Sequence, residues 1–168
     1  MIKKIVAMVI LISVLLSSCS GGYLMFFTYE GTIADKWMKK VVKAIEKQDK
    51  DAFRQLFFER ALDEANDFEE NMDYLFELFQ GEVKSWKRTA TSSFDDYNNG
   101  HVRKEINSSY DIESSDQKYH MSLKICSSDN KISKNVGIKA FCIINENDWR
   151  EAYVYWGDWD MFGIIIDH

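Results

Sequence analysis

The sequence predicts an α+β domain in which N-terminal helices pack into a curved antiparallel β-sheet. Apolar residues recur at the helical spacing of about 3.6 residues up to Gly81, and the spacing then changes to the two-residue alternation of strands. The helices also precede the strands along the chain instead of alternating with them. Elements ordered in this way segregate, so we expect the helices to cover one face of the sheet.

The first residues of the chain resemble an export signal. Lys3 and Lys4 form a positive start, residues 5–16 are apolar or small, and residues 16–19 read Leu-Ser-Ser-Cys. That last stretch is similar to the lipobox of bacterial lipoproteins, in which small residues precede a cysteine. The resemblance implies cleavage after Ser18 and attachment of a diacylglycerol, with fatty acids such as palmitate, to Cys19. Two acyl chains are enough for stable membrane attachment.

An uncleaved signal anchor is the alternative, because residues 23–27 are apolar as well. Serine and glycine residues between positions 17 and 22 make such a segment a poor membrane-spanning helix. We therefore predict a signal peptide over residues 1–18, a lipidated N-terminus with a short tether over 19–33, and a single domain over 34–168. The predicted location is the extracellular face of the cell membrane.

The net charge argues against two classes of partner. The chain has a net charge of −6, and the predicted signal holds two lysines and no acidic residue, so the mature protein carries about −8. Nucleic acids need a basic face, and anionic lipids attract basic segments, so neither is an expected partner. Contact with the membrane is therefore assigned to the lipid on Cys19.

Four helices are predicted up to Gly81. The first covers residues 34–47, the second begins after a cap at Asp49, the third covers residues 59–65, and the fourth belongs to residues 67–81. In the fourth, Asp67 and Glu70 form a capping-box pattern, and Gly81 is placed to end the helix in a left-handed conformation. The apolar stripe of the fourth helix consists of Phe68, Met72, Leu75, Phe76 and Phe79.

The strands follow Gly81. We predict strands over residues 83–89, 101–112, 118–126 and 135–145, with one or two more in residues 151–156 and 162–166. Residues 92–100 are predicted to be a loop that closes on a hairpin turn at Asn99 and Gly100. Residues 135–145 are apolar on both faces, which is typical of a central strand. Together the strands predict an antiparallel meander.

Several stretches are similar to a family of Gram-positive lipoproteins, domain of unknown function five-one-zero-four, which has no assigned activity. They are residues 51–57 (DAFRQLF) with Ala61 and Leu62, residues 75–82 (LFELFQGE), and residues 155–158 (YWGD) followed by 163–166 (GIII). The order of elements also resembles the nuclear-transport-factor-two-like (SnoaL-like, cystatin-like) superfamily. That resemblance implies a cone-like sheet with a pocket between helices and strands, and it allows a homodimer through the outer face of the sheet.

The cone resemblance places candidate pocket residues between the helices and the sheet. In enzymes of the superfamily an Asp or His inside the cone does acid–base work, and Asp158, His120 or Tyr110 are placed to do so, although no motif joins them. The candidate pocket consists of Trp37, Phe57, Phe79, Trp86, Tyr110, Tyr119, His120, Trp156 and Asp158.

The densest group of aromatic and acidic residues lies near the C-terminus. It consists of Tyr153, Tyr155, Trp156, Asp158, Trp159 and Asp160. Aromatic faces beside carboxylates can hold a sugar ring or an organic cation. The alternative is that these aromatics close the core at the end of the sheet, and this second interpretation is the one we favour.

Cysteines and histidines suggest no reactive centre. If residues 118–126 and 135–145 pair through a turn near Lys131, Cys126 lies opposite Val136 and Cys142 opposite His120. The two sulfurs are then too far apart for a disulfide, so two buried thiols are predicted. His101, His120 and His168 are too scattered for a metal motif, and neither a metal nor a cofactor is expected.

The leading hypothesis is a membrane-anchored extracellular domain that binds a small molecule, a peptide or a protein without catalysis. One alternative is an enzyme of the isomerase or dehydratase kind, with Asp158 or His120 as the base. Another is a protective or inhibitory lipoprotein that blocks a secreted partner through its acidic face.

Overall fold

The computed structural model describes residues 20–79, 81–146 and 162–166, and it confirms the predicted α+β class: helices first, packed against an open five-stranded sheet. The helices are α1 (Ser20–Glu46), α2 (Lys50–Arg54), α3 (Glu59–Glu64) and α4 (Phe68–Leu78). The strands are β1 (Val83–Asn98), β2 (His101–Ser114), β3 (Lys118–Asp129), β4 (Gly137–Asn145) and β5 (Gly163–Ile166), with a short 3-10 helix at Ser133–Asn135. Within the described part of the chain, no helix is long and apolar enough to cross a membrane.

The strands lie in the order β1-β2-β3-β4-β5, and the first four are antiparallel as predicted. The last strand differs, because β5 runs parallel to β4. A parallel neighbour needs a crossover connection of roughly a dozen residues or more, and the chain between β4 and β5 is long enough for one. The strand predicted over residues 151–156 lies outside the described residues.

The hairpin of β1 and β2 is longer than predicted. Its turn is confirmed, since Asn99 (φ 48°) and Gly100 (φ 78°) occupy the left-handed region that a two-residue hairpin turn requires. The predicted loop over residues 92–100 is wrong, because β1 continues to Asn98, which pairs with His101. β1 is an edge strand with an exposed face, and cross-strand pairing there outweighs the low strand propensity of its serines and aspartates.

Helix α4 buries the predicted stripe, with Phe68, Met72, Leu75 and Phe76 all inside the core. Its start differs from the prediction: Asp67 adopts a left-handed conformation (φ 55°) and its side chain does not cap the helix. The cap at Asp49 is confirmed, since its Oδ1 accepts a hydrogen bond of 2.9 Å from the backbone N–H of Ala52. The missing cap at Asp67 does not change where α4 packs, because the apolar stripe of the helix is buried as predicted.

Phe53 on α2 is the centre of the core. It is fully buried, and its ring makes edge-to-face contacts with Phe57 (5.4 Å between centroids), Phe76 (5.7 Å) and Phe141 (5.5 Å). These partners come from the loop after α2, from α4 and from β4. One side chain thus joins two helices to the sheet through packing that edge-to-face aromatic pairs favour.

Helix α1 begins at Ser20 and not at Ala34, so the predicted tether is helical and its last turns pack on the sheet. Glu30 is 1% exposed, and its carboxylate lies 2.7 Å from Nζ of Lys104 on β2. Gly31 lies against the guanidinium of Arg88 on β1, where a Cβ atom would overlap that group. Asp35, one turn later, pairs with the same guanidinium at 2.8 Å. The N-terminal helix is therefore joined to the sheet by charges as well as by apolar contacts.

Replacing Lys104 with Met should lower the free energy of unfolding by roughly 3 kcal/mol, because the buried Glu30 carboxylate loses its counter-ion. Adding Glu30→Gln should recover part of that loss, since the second change removes the unpaired charge. Urea unfolding of the two variants tests this. The matched control is Lys50→Met, whose pair with Asp73 is solvent-exposed and should matter by less than about 1 kcal/mol. Equal losses at the two lysines would contradict the role given to Lys104.

Candidate functional site

A groove of about 900 Å³ lies on the outer face of the sheet, the face turned away from the helices. It is lined by residues of β1, β2, β3 and β4, and we call it the outer-face groove. On β2 the side chains of Ile106, Tyr110 and Ile112 are buried in the core. Strand alternation then turns Asn107, Ser109 and Asp111 to the opposite face.

The registry between β2 and β3 brings the polar side chains of the groove together in pairs. Ser109 pairs with Ser122, and their hydroxyl oxygens are 2.9 Å apart. Two residues further along, Asp111 pairs with His120, and Oδ1 of the carboxylate lies 2.9 Å from Nδ1 of the imidazole. The floor of the groove therefore holds a hydroxyl pair beside a histidine–carboxylate pair.

Burial controls the charge of His120. The residue is 8% exposed, and this burial lowers the pKa of the imidazole more than the hydrogen bond and charge of Asp111 raise it. The ring is therefore neutral near pH 7. Because an ionised carboxylate only accepts hydrogen bonds, the neutral ring carries its proton on Nδ1, the nitrogen that faces Asp111.

The groove has no formal net charge. Three lysines line it, and so do three carboxylates, while His120 is neutral; the lysines are Lys87, Lys118 and Lys124, and the carboxylates are Asp111, Glu113 and Glu146. A site for phosphate needs a cationic excess, and a site for an organic cation needs an anionic excess or an aromatic cage. The charge balance favours a neutral polar ligand over a phosphate or an organic cation.

The structure separates the nine candidate pocket residues. Four of them are buried between helices and sheet: Phe57, Phe79, Tyr110 and Tyr119. Trp37 and Trp86 are partly buried against the same core. His120 is the one whose side chain lies on the floor of the outer-face groove, while Tyr119 borders the groove with its side chain in the core, and Trp156 and Asp158 lie outside the described residues. Of the C-terminal aromatic and acidic group, no member lies within the described residues.

The space between helices and sheet is filled by these aromatic side chains. Tyr119 stacks on Phe79 at 4.8 Å and donates its hydroxyl proton to the carbonyl of Leu78 at 3.0 Å. The hydroxyl of Tyr110 donates to Asp35 at 3.2 Å, and burial raises the pKa of that phenol above its ordinary value. The space between the described helices and the sheet, where sequence reasoning placed the ligand, is thus occupied by the protein's own side chains.

Sequence reasoning missed Asn107, Ser109, Asp111, Ser122 and Lys124 as site residues. A signal for them was present, because polar residues alternate with the core residues on two adjacent strands. That alternation is equally typical of an ordinary solvated sheet face. Only the registry showed that these particular side chains pair with one another.

The cysteine prediction is confirmed for the two described cysteines: Cys126 and Cys142 are buried and form no disulfide. The pairing was predicted wrongly, because Cys126 lies opposite Gly137 and Cys142 opposite Ser122. A bulge in β4 at Lys139 and the 3-10 helix in the connection shift the register. Burial raises the pKa of Cys126 to about 11, so its thiol is inert at neutral pH.

Several polar side chains outside the groove pair with one another. His101 contacts the buried Asp129 through Nε2 at 2.8 Å, while His168 lies outside the described residues. A second cavity, of about 530 Å³, lies beside Phe162, and two of its cationic side chains pair there with carboxylates: Arg60 with Glu64 and Arg103 with Glu105. Among residues 20–79, 81–146 and 162–166, no group of three His, Cys, Asp or Glu side chains could hold a metal ion.

Replacing Asp111 with Asn should lower the pKa of His120 further, because the negative charge that raises it is removed and the ring is left with a neutral amide as its partner. Titration of the imidazole by NMR measures this directly. The control is Glu113→Gln, which removes a carboxylate on the same strand face without touching His120.

The free energy of unfolding of the wild-type protein should rise as the pH increases from the folded pKa of His120 through about 6.5, because the unfolded chain binds the extra proton there. A His120 pKa above its ordinary value would contradict the assignment of burial as the dominant cause.

The family of the chain is defined by its central part. A family model described as Domain of unknown function (DUF5104) matches residues 40–146. The match begins inside α1 and ends just after β4, so it includes every strand that lines the outer-face groove. No curated protein matches the chain. The protein therefore belongs to the DUF5104 family.

Proposed function

We propose that the protein is a lipoprotein held on the extracellular face of the cell membrane by a lipid on Cys19, and that it binds a small polar ligand in the outer-face groove without converting it. The carrying observation is the groove itself: a volume of about 900 Å³ with a floor of preformed polar pairs and no net charge. Ligand pockets of this size commonly hold small molecules that a few fixed polar groups orient.

The lipobox at residues 16–19 supports the membrane address. Helix α1 starts at Ser20, directly after the proposed lipid site, and continues to Glu46 without a break. At 1.5 Å per residue, a continuous helix would hold the domain at a defined height above the bilayer, unlike a flexible linker. The groove would then face a fixed direction relative to the membrane surface.

Membership of the nuclear-transport-factor-two-like superfamily is part of the proposal. The order of helices and strands supports it, and so does the packing of α1 and α4 on one face of the sheet. The proposal moves the ligand from the cone interior to the outer face. A homodimer formed through that outer face would cover the groove, so sedimentation of the purified protein should show a monomer.

A second candidate function is acid–base catalysis of the isomerase or dehydratase kind. The pair of His120 and Asp111 favours it, because a neutral imidazole oriented by a carboxylate is suited to accept a proton. Conversion of a bound compound, lost in His120→Gln while binding persists, would establish this candidate in place of simple binding.

Mass spectrometry of the membrane fraction should find a lipid on Cys19, and Cys19→Ser should move the protein out of that fraction. Loss of the anchor removes the only two acyl chains that the proposal assigns to the protein. Cys126→Ser, which changes a buried thiol, is the matched control and should leave the fractionation unchanged. A wild-type protein without lipid on Cys19 would refute the proposed anchor.

Groove binding is tested with the full chain in a zwitterionic detergent that carries no sugar. Neutral sugars, short neutral peptides and phosphorylated metabolites are added separately, and backbone amide shifts are followed by NMR. We expect shifts at Ser109, Asp111 and Ser122, and their loss in Ser122→Trp, which fills the centre of the groove. Ser133→Trp, in the exposed 3-10 helix, is the control. Shifts confined to the helices would contradict the proposal.

A further inference from the structure

We infer that the ligand of the outer-face groove is a neutral saccharide. The inference rests on the proposed function, because it names the class of ligand that the same groove would hold. Three features carry it: the charge balance of the groove, the hydroxyl and amide groups on its floor, and an exposed aromatic ring on the same face of the sheet.

The floor of the groove matches a ligand that both donates and accepts hydrogen bonds. The hydroxyls of Ser109 and Ser122 use one O–H between them, so the pair can still donate once and accept further bonds. Asn107 adds an amide, whose Oδ1 is buried without a hydrogen-bond partner. The hydroxyls of a sugar supply donors and acceptors at close spacing, and they carry no charge that the balanced groove would have to neutralise.

The aromatic ring is Phe94, which is 59% exposed. The registry pairs Ser92 with Asn107 and Phe94 with Glu105, so Phe94 lies on the outer face one row beyond the groove. Two residues of a strand span roughly 7 Å, which is the scale of one sugar ring. An exposed ring at that distance can stack on the apolar face of a pyranose while the groove binds the hydroxyls of the next unit.

An anionic or cationic ligand fits less well. Lys87 and Lys124 are balanced by Asp111 and Glu113 within the same groove, so a phosphate would meet as many negative groups as positive ones. An extended peptide would gain most from backbone pairing, which is offered by the open edge of β1 and not by the sheet face. A neutral saccharide uses the face and needs no excess charge.

The proposed address agrees with this class of ligand. A domain fixed to the extracellular face of the membrane would meet the polysaccharides of the cell surface. The groove would then hold a short stretch of a neutral glycan, with Phe94 at one end and the pair of Asp111 and His120 towards the other.

The test uses the full chain in the same sugar-free detergent, with the trimer of β-1,4-linked N-acetylglucosamine and cellotriose as probes. Calorimetry should show binding of at least one trisaccharide. Phe94→Ala and Ser109→Ala should each weaken it by about tenfold or more. Tyr97→Ala is the matched control, because Tyr97 is an equally exposed aromatic (70%) on the other face of the same strand and should leave binding unchanged.

The outcomes separate the inference from the proposed function. If neither trisaccharide binds at millimolar concentration while a neutral tripeptide or a phosphorylated metabolite shifts the groove amides, the saccharide inference is overturned and the groove proposal stands. Saccharide binding that is unchanged in Phe94→Ala and Ser109→Ala would place the sugar elsewhere and would also overturn the inference. If no probe shifts the groove amides, both the saccharide inference and the groove proposal are overturned.

Discussion

All four helices bury their apolar surfaces on one face of a single open sheet, and the rest of the structure depends on this constraint. The packing converges on Phe53, whose ring lies 5.7 Å from that of Phe76 on α4 and 5.5 Å from that of Phe141 on β4, between centroids. A buried phenylalanine in such a site stabilises a fold by roughly 3–5 kcal/mol relative to alanine. Among the described residues, the helices cover that face of the sheet with aromatic and aliphatic side chains.

The outer face of the sheet carries both buried polar side chains and the proposed ligand groove. On β3, Ser122 and Lys124 are 3% and 4% exposed although they face away from the core. Polar side chains buried to this extent must be hydrogen-bonded, and the registry supplies partners such as Ser109 for Ser122 and Asp111 for His120. A sheet face organised in this way would present fixed polar groups to the proposed ligand without having to order them first.

The N-terminal helix connects the proposed membrane address to this face. The helix pairs with β1 through Asp35 and with β2 through Glu30. Glu30 belongs to the predicted tether and Asp35 to the predicted domain, so both parts of the helix contact the sheet. Buried charges of this kind cost desolvation energy, so they stabilise only when both partners are present. They fix the rotation of the helix against the sheet. They therefore also fix the direction of the groove relative to the helix.

Much of the fold could be predicted from local sequence, and the reason is periodicity. The features that were predicted correctly depend on residues close together in the chain. They are the stripe of α4, the cap at Asp49, the hairpin turn at Asn99 and Gly100, and the first four antiparallel strands. The predictions that were wrong depend on long-range pairing. The extension of β1 to Asn98 needs β2 beside it, and the parallel β5 needs β4.

The sequence by itself determined the α+β class and the apolar faces of the helices and strands, because both follow from the spacing and type of residues. Tertiary structure alone decided which face of the sheet the described helices cover and which polar residues pair on the other face. Asp111 and His120 are nine positions apart, and only the registry of β2 and β3 brings their side chains to 2.9 Å. A one-residue change of register would send alternate side chains to opposite faces, so no local pattern could have specified the pair.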